Sequence, residues 1–358
     1  MSATVPEEKA DSTPILDRLV PMPESRGMSL LRVGVELALS VLLVIPFFWR
    51  PPFMTTFLLW VAGNIKALMS NPNWAGVLVI LTGFAIALMC LLAIAIHECG
   101  HLAAGLALGF RCRGFRFGRV NIDPGFRVSR HQDSGEATLG GVVMIPERWD
   151  NIGFRAALMT LAGPVANLLS GYTVFLLWSD HSLVSGSFVA ASFLFGVTNL
   201  LPFGMPSVLS DGTRVWRILF NQEWAERHLA ILKLVDDVDR GVPFESLAPT
   251  DLDRATRLQD QSAETVLAHT FAFLTAYGQH EDVRAGELLE IALRFSGNAE
   301  PSARERLALG AALIQTRRGR PDLARQWLAE VPETQLLSLR SKIEAAIEAS
   351  KSASARNR

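Results

Sequence analysis

An apolar run that begins near Ala75 carries no charged residue until it closes on His97-Glu98-Cys99-Gly100-His101. The run predicts a helix able to cross a bilayer, whose hydrocarbon core takes about 20 residues. On a helix, positions i and i+4 share a face, so His97 and His101 converge on one metal ion with Glu98 beside them. The spacing is HExxH, in which zinc keeps one coordination position open for a water and the glutamate takes that water's proton. Ionisable residues at membrane depth are costly and mark functional sites. The plainer alternative is two incidental histidines facing a bundle interior.

Composition agrees with a membrane setting. Of 358 residues, 49% are hydrophobic and the mean hydropathy is positive, which few soluble domains match. The apolar residues concentrate before Val215, and the last third reads as soluble. A formal net charge of −1 gives no case for nucleic acid. Three cysteines, Cys90, Cys99 and Cys112, form no disulfide framework and fit a reducing, cytoplasm-facing environment. Cys99 points away from the histidine face and reads as a small buried filler.

Residues 1–28 mix charges with prolines and predict a mobile tail. An uncleaved anchor helix follows over 29–49. The stretch 53–69 is ambiguous, because Phe57, Val61, Ile65 and Leu68 mark one face while Thr56, Asn64 and Lys66 interrupt it. It reads either as a helix lying on the membrane or as a further span, and the choice sets the side of the N-terminus. The motif-bearing span covers about 74–108. Arginines at 111, 113, 116, 119, 127, 130, 148 and 155 then mark a cytoplasmic loop, read as a solvated face against lipid headgroups. Within it, alternation over 115–122, 126–128 and 141–145 predicts short strands, with a turn at Asp123-Pro124-Gly125. Spans over 154–178 and 183–201 bring Gly163, Asn167 and Asn199 to the depth of the histidines.

After Asp211 the pattern is helical and soluble. Ser262-Ala263, Leu267-Ala268, Ala272 and Asp282 recur forty residues later as Ser302-Ala303, Leu307-Ala308, Ala312 and Asp322. That offset predicts two αα-hairpins turning near Gly278 and Gly319, similar to degenerate tetratricopeptide repeats with a partner-binding groove, or a plain helical bundle.

Two histidines leave zinc short of a ligand, and no third histidine follows at the HExxHxxGxxH spacing. Asp211, in Ser210-Asp211-Gly212, follows a stretch broken by Pro202, Gly204 and Pro206. That break would let a carboxylate reach back to the histidines. The same three residues would serve equally as the cap of a helix beginning near Thr213.

A membrane-embedded HExxH, then Gly163-Pro164-Val165-Ala166-Asn167, then Asn199-Leu200-Leu201-Pro202 and Ser210-Asp211-Gly212, resembles the site-2 protease family of intramembrane zinc metalloproteases. The resemblance implies that His97, His101 and Asp211 bind Zn2+ and that Glu98 is the catalytic base. It also implies that Asn167 holds the substrate backbone or the oxyanion. The connection over 203–209 is longer than in many family members, and no segment looks like a PDZ domain. The expected fold is mainly α: a polytopic membrane protein with a three-span core at 74–221, a small cytoplasmic β element, and a soluble tetratricopeptide-like domain at 222–358. The tail at 1–28 and the membrane-associated segment at 29–73 precede the core. The expected activity is hydrolysis of a peptide bond in or near a transmembrane segment of a protein substrate, releasing a cytoplasmic fragment. The alternative is a non-proteolytic zinc-binding scaffold or sensor acting through the helical domain. Expected partners are that substrate, membrane lipid and a protein on the helical domain. The expected location is a bacterial inner membrane, with the C-terminal domain cytoplasmic.

Overall fold

The computed structural model describes residues 15–17, 66, 72–117, 120–122, 128–130, 140–177, 183–202, 209–299, 301–331, 341, 343–345 and 347–348. The expected anchor at 29–49, the ambiguous 53–69 stretch apart from Lys66, the Asp123-Pro124-Gly125 turn and the lengthened connection at 203–208 lie outside them. The chain is mainly helical with a small sheet, and divides into two units, Gly27–Ala225 and Met1–Arg26 with Glu226–Arg358.

In the first unit, the uncharged apolar run forms α1 over Pro72–Ala107. Gly109 ends it with a φ of 75°, a left-handed turn that a residue with a Cβ enters only at a cost. The chain then enters β1 (Phe110–Phe117), β2 (Val120–Ile122), β3 (Val128–Arg130) and β4 (Gly140–Pro146), an antiparallel sheet of order β3-β2-β1-β4. The stretch expected as one strand over 115–122 is therefore parts of two, paired from Phe115 with Ile122 to Phe117 with Val120. A bulge between Cys112 and Gly114 shifts the β1–β4 register. Phe110, Met144 and Ala156 pack into one cluster that ties the sheet to the helices.

Helices α2 (Ile152–Leu177) and α3 (Leu183–Leu200) follow, with α4 over Asp211–Phe220. A Cβ on Gly100 would meet the Ala162 carbonyl oxygen at 2.6 Å and the Ala166 methyl at 2.7 Å, so glycine inside the motif is what lets α1 and α2 close up. Among the described residues, two helices are long and apolar enough to cross a membrane, Ile80–Ala107 within α1 and Ile152–Leu177; the apolar stretch Ser185–Leu200 of α3 is shorter.

Arg155 departs from the solvated face expected of the loop arginines. It is buried, and its guanidinium donates to the carbonyls of Leu108, Gly109, Arg148 and Asp150 at 2.6–3.0 Å. The last carbonyls of a helix have no partner within it, and Arg155 fills that need at the end of α1. Cys99, expected as buried filler, is exposed on the far side of α1.

The second unit is built from α5 (Gln222–Asp239) from Glu226 onward, α6 (Pro249–Arg257), α7 (Ala263–Gly278), α8 (Asp282–Arg294), α9 (Pro301–Arg317) and α10 (Pro321–Ala329). Its helix pairs α7–α8 and α9–α10 turn where the offset predicts, at His280 (φ 62°) and Gly319 (φ 69°). Ala268 and Ala308 are buried in equivalent positions, as are Ala272 and Ala312. The correspondence fails at Leu267, 41% exposed, against Leu307 at 1%. Within the stretch expected to be a mobile tail, Ile15–Asp17 form a 3-10 turn that packs into this unit's core.

Candidate metal centre

The site is assembled from three helices of the first unit. One turn of α1 presents His97 and His101 side by side, with Nε2 atoms 3.1 Å apart. Ser210 caps α4, accepting from the Thr213 backbone N–H. Asp211 is therefore not the cap: as the first residue of α4 it turns its carboxylate on both histidines, Oδ2 lying 2.9 Å from His97 Nε2 and 3.4 Å from His101 Nε2. All three residues are largely buried. Burial would raise the Asp211 carboxyl pKa, but the hydrogen bonds from His101 and then His97 outweigh it and hold the group below the usual carboxylate range.

These three atoms could hold a metal ion. Ligands about 2.0–2.1 Å from a tetrahedral zinc are about 3.3 Å from one another, and the observed edges of 2.9, 3.1 and 3.4 Å bracket that value. The donor set of two imidazoles and one carboxylate, with a fourth position open, is also that of a catalytic zinc site.

The surroundings fix both rings. His101 Nδ1 donates to the Met159 carbonyl at 2.9 Å, which directs Nε2 at the site. A Cβ on Gly163 would overlap the His101 ring, so α2 supplies a glycine where the imidazole must sit. Asn167 is fully buried, and its side-chain amide lies 3.2 Å from His97 Nδ1. Its Oδ1 has no hydrogen-bond partner with the amide in this orientation. Were His97 to ligate a metal through Nε2, its Nδ1 would carry the proton and need an acceptor. Turning the amide over would give Oδ1 that role and place Nδ2 where Oδ1 now has no partner.

Glu98 lies beside the histidines, largely buried, with the Val142 backbone N–H of β4 facing its carboxylate. On the described residues β4 pairs only with β1, so its outer edge adjoins Glu98. Asn199, expected at the same depth, does not join the site: its amide donates to the Phe195 carbonyl of its own helix.

The structure thus brings together His97, Glu98, His101, Asn167 and Asp211. Sequence reasoning missed the Met159 carbonyl, which no side-chain pattern could reveal. It noted Gly163 within a motif without seeing that the residue makes room for a ring. Comparison of the chain with protein-family models, with curated proteins and with solved structures finds no match to any of them.

Proposed function

We propose that the chain is an intramembrane zinc metalloprotease of the site-2 protease type, which hydrolyses a peptide bond in or near a transmembrane segment of another protein. The observation that carries this reading is the triangle of His97, His101 and Asp211 with Glu98 alongside.

The exposure of α1 supports a lipid setting. Ile80 is 72% and Phe84 69% exposed, whereas the core helix of a soluble protein would bury them. The same argument extends to α2, where Leu169 is 62% and Leu177 74% exposed; α3 joins as a further span on its apolar sequence alone. From Ile80 to His97 the helix rises about 26 Å, against a hydrocarbon core of about 30 Å. That rise supports a site near one interface, and the arginines after α1 favour the cytoplasmic one. A cut there would release a cytoplasmic fragment.

Bound at this site, zinc would supply the Lewis acidity that acidifies a water and polarises a peptide carbonyl. Glu98 takes the proton of the attacking water and returns it to the leaving amine. An extended, locally unwound substrate pairs with the outer edge of β4, which brings its backbone alongside Glu98. Asn167 holds the His97 ring through Nδ1, a positioning role that differs from the substrate-holding one implied by the family resemblance.

The test is Glu98→Gln. The variant should retain stoichiometric zinc while cleavage of a co-expressed single-pass reporter falls about 10²- to 10⁴-fold, the usual contribution of a general base. Unchanged cleavage would overturn the assignment.

A further inference from the structure

In the second unit, residues 15–17 are held by polar side chains as well as by packing against α8, α9 and α10. Ile15 and Leu16 donate their backbone N–H groups to the two carboxylate oxygens of Glu290, each at 2.8 Å. The Leu16 carbonyl accepts from Gln315 Nε2 at 2.6 Å and from Trp327 Nε1 at 3.3 Å. The Leu16 side chain is 1% exposed, seated in the core cluster with Leu289 and Trp327. Gly286 lines the pocket: a Cβ there would stand in ordinary contact with Leu16 at 3.6 Å and would require the Arg318 guanidinium to shift. Asp17 takes Arg320 at 2.6 Å and Arg318 at 3.2 Å.

Main-chain groups read by Glu290, Gln315 and Trp327, one apolar pocket, and an arginine pair for an acidic side chain are the parts of a linear-peptide site. Gln315 is the telling residue. It is fully buried and, among the described residues, its Nε2 serves only residues 16 and 17 and its Oε1 has no partner. A core built for packing alone would use an apolar residue there, because a buried amide without its partner is destabilising. Removing the segment would also leave Trp327 Nε1 without this acceptor.

We propose that α8, α9 and α10 form a peptide-binding groove with specificity for an aliphatic residue followed by Leu-Asp. Residues 15–17 occupy it in cis, and a segment of the same chemistry on another protein displaces them. The groove is independent of the metal centre and of any activity there.

The probe is a fluorescent synthetic peptide matching residues 11–21, added to the full-length protein in detergent. The tethered segment competes with it through its effective concentration, so the parent should bind weakly. Leu16→Glu should tighten binding about tenfold by emptying the groove. Adding Arg320→Ala or Glu290→Ala to that variant should abolish binding, and a peptide with Leu and Asp exchanged should not bind. Asp17→Lys provides a milder opening should Leu16→Glu perturb the unit. On the parent, millimolar peptide should accelerate hydrogen exchange at the amides of Ile15 and Leu16. Absence of saturable binding to either opened variant, with exchange of the parent unaffected, would overturn the proposal and make residues 15–17 a fixed part of the core.

Discussion

The His101 ring occupies the space that a side chain on residue 163 would fill. The two residues lie on different helices, so the metal-site geometry depends on α2 carrying no Cβ at that point. Gly163→Ala should push the imidazole off its position at a cost of about 1–3 kcal/mol, the usual range for overpacking. Zinc content of the purified protein, measured by elemental analysis, should fall while the helical content seen by circular dichroism is kept.

Asp211 offers the third ligand atom, 2.9 Å from His97 Nε2. Asp211→Ala should weaken zinc binding by more than the roughly 10- to 100-fold lost with an outer-shell partner. Ser210→Ala removes the helix cap and should cost about 1 kcal/mol of local stability without touching metal affinity. Competition with a chromogenic chelator separates the two. Equal affinity in Asp211→Ala and the parent would refute the ligand role.

Asn167 meets His97 at Nδ1, on the side of the ring away from Asp211. If it orients the ligand, Asn167→Ala should reduce zinc affinity about 10- to 100-fold. An oxyanion donor would behave differently, lowering kcat by about 10²- to 10³-fold with metal affinity unchanged. Measuring both quantities on one preparation decides which role it has.

In the helical unit, Arg227 is fully buried and pairs with Asp260 at 2.7 Å and Glu264 at 3.0 Å. Burial would raise the Asp260 pKa, but the hydrogen bonds of Arg227 and Ser262 lower it to about 2, from an ordinary 3.8. A carboxyl depressed in the folded state stabilises above its ordinary pKa and stops doing so as pH falls through the depressed one. The thermal stability of this unit should therefore drop between about pH 4 and pH 2. Asp260→Asn should flatten that drop, and 0.5 M salt should reduce it less than for an exposed pair.

Much of the architecture was legible because it follows from short-range pattern. The uncharged run predicts α1, and the i, i+4 spacing brings the two histidines together. The forty-residue offset anticipates the turns near Gly278 and Gly319. Asp211 was reachable only as one of two readings, since cap and ligand use the same residue types; the structure divides the roles between Ser210 and Asp211. What stayed hidden is contact between distant residues. Arg155 looks like any loop arginine until the end of α1 is seen to need donors. The Ile15-Leu16 pair sits among charges and prolines that predict mobility, and its binding surface lies more than 270 residues further along.

That last contact constrains the whole chain. A tripeptide cannot touch its own receptor through a sheet of lipid, so Ile15–Asp17 and the groove of Glu290 and Gln315 must share a compartment. Whatever barrier the intervening polypeptide threads, it returns to the side it left, and the tally of passages is even. Reporters fused before residue 15 and after residue 348 will answer to the same chemistry.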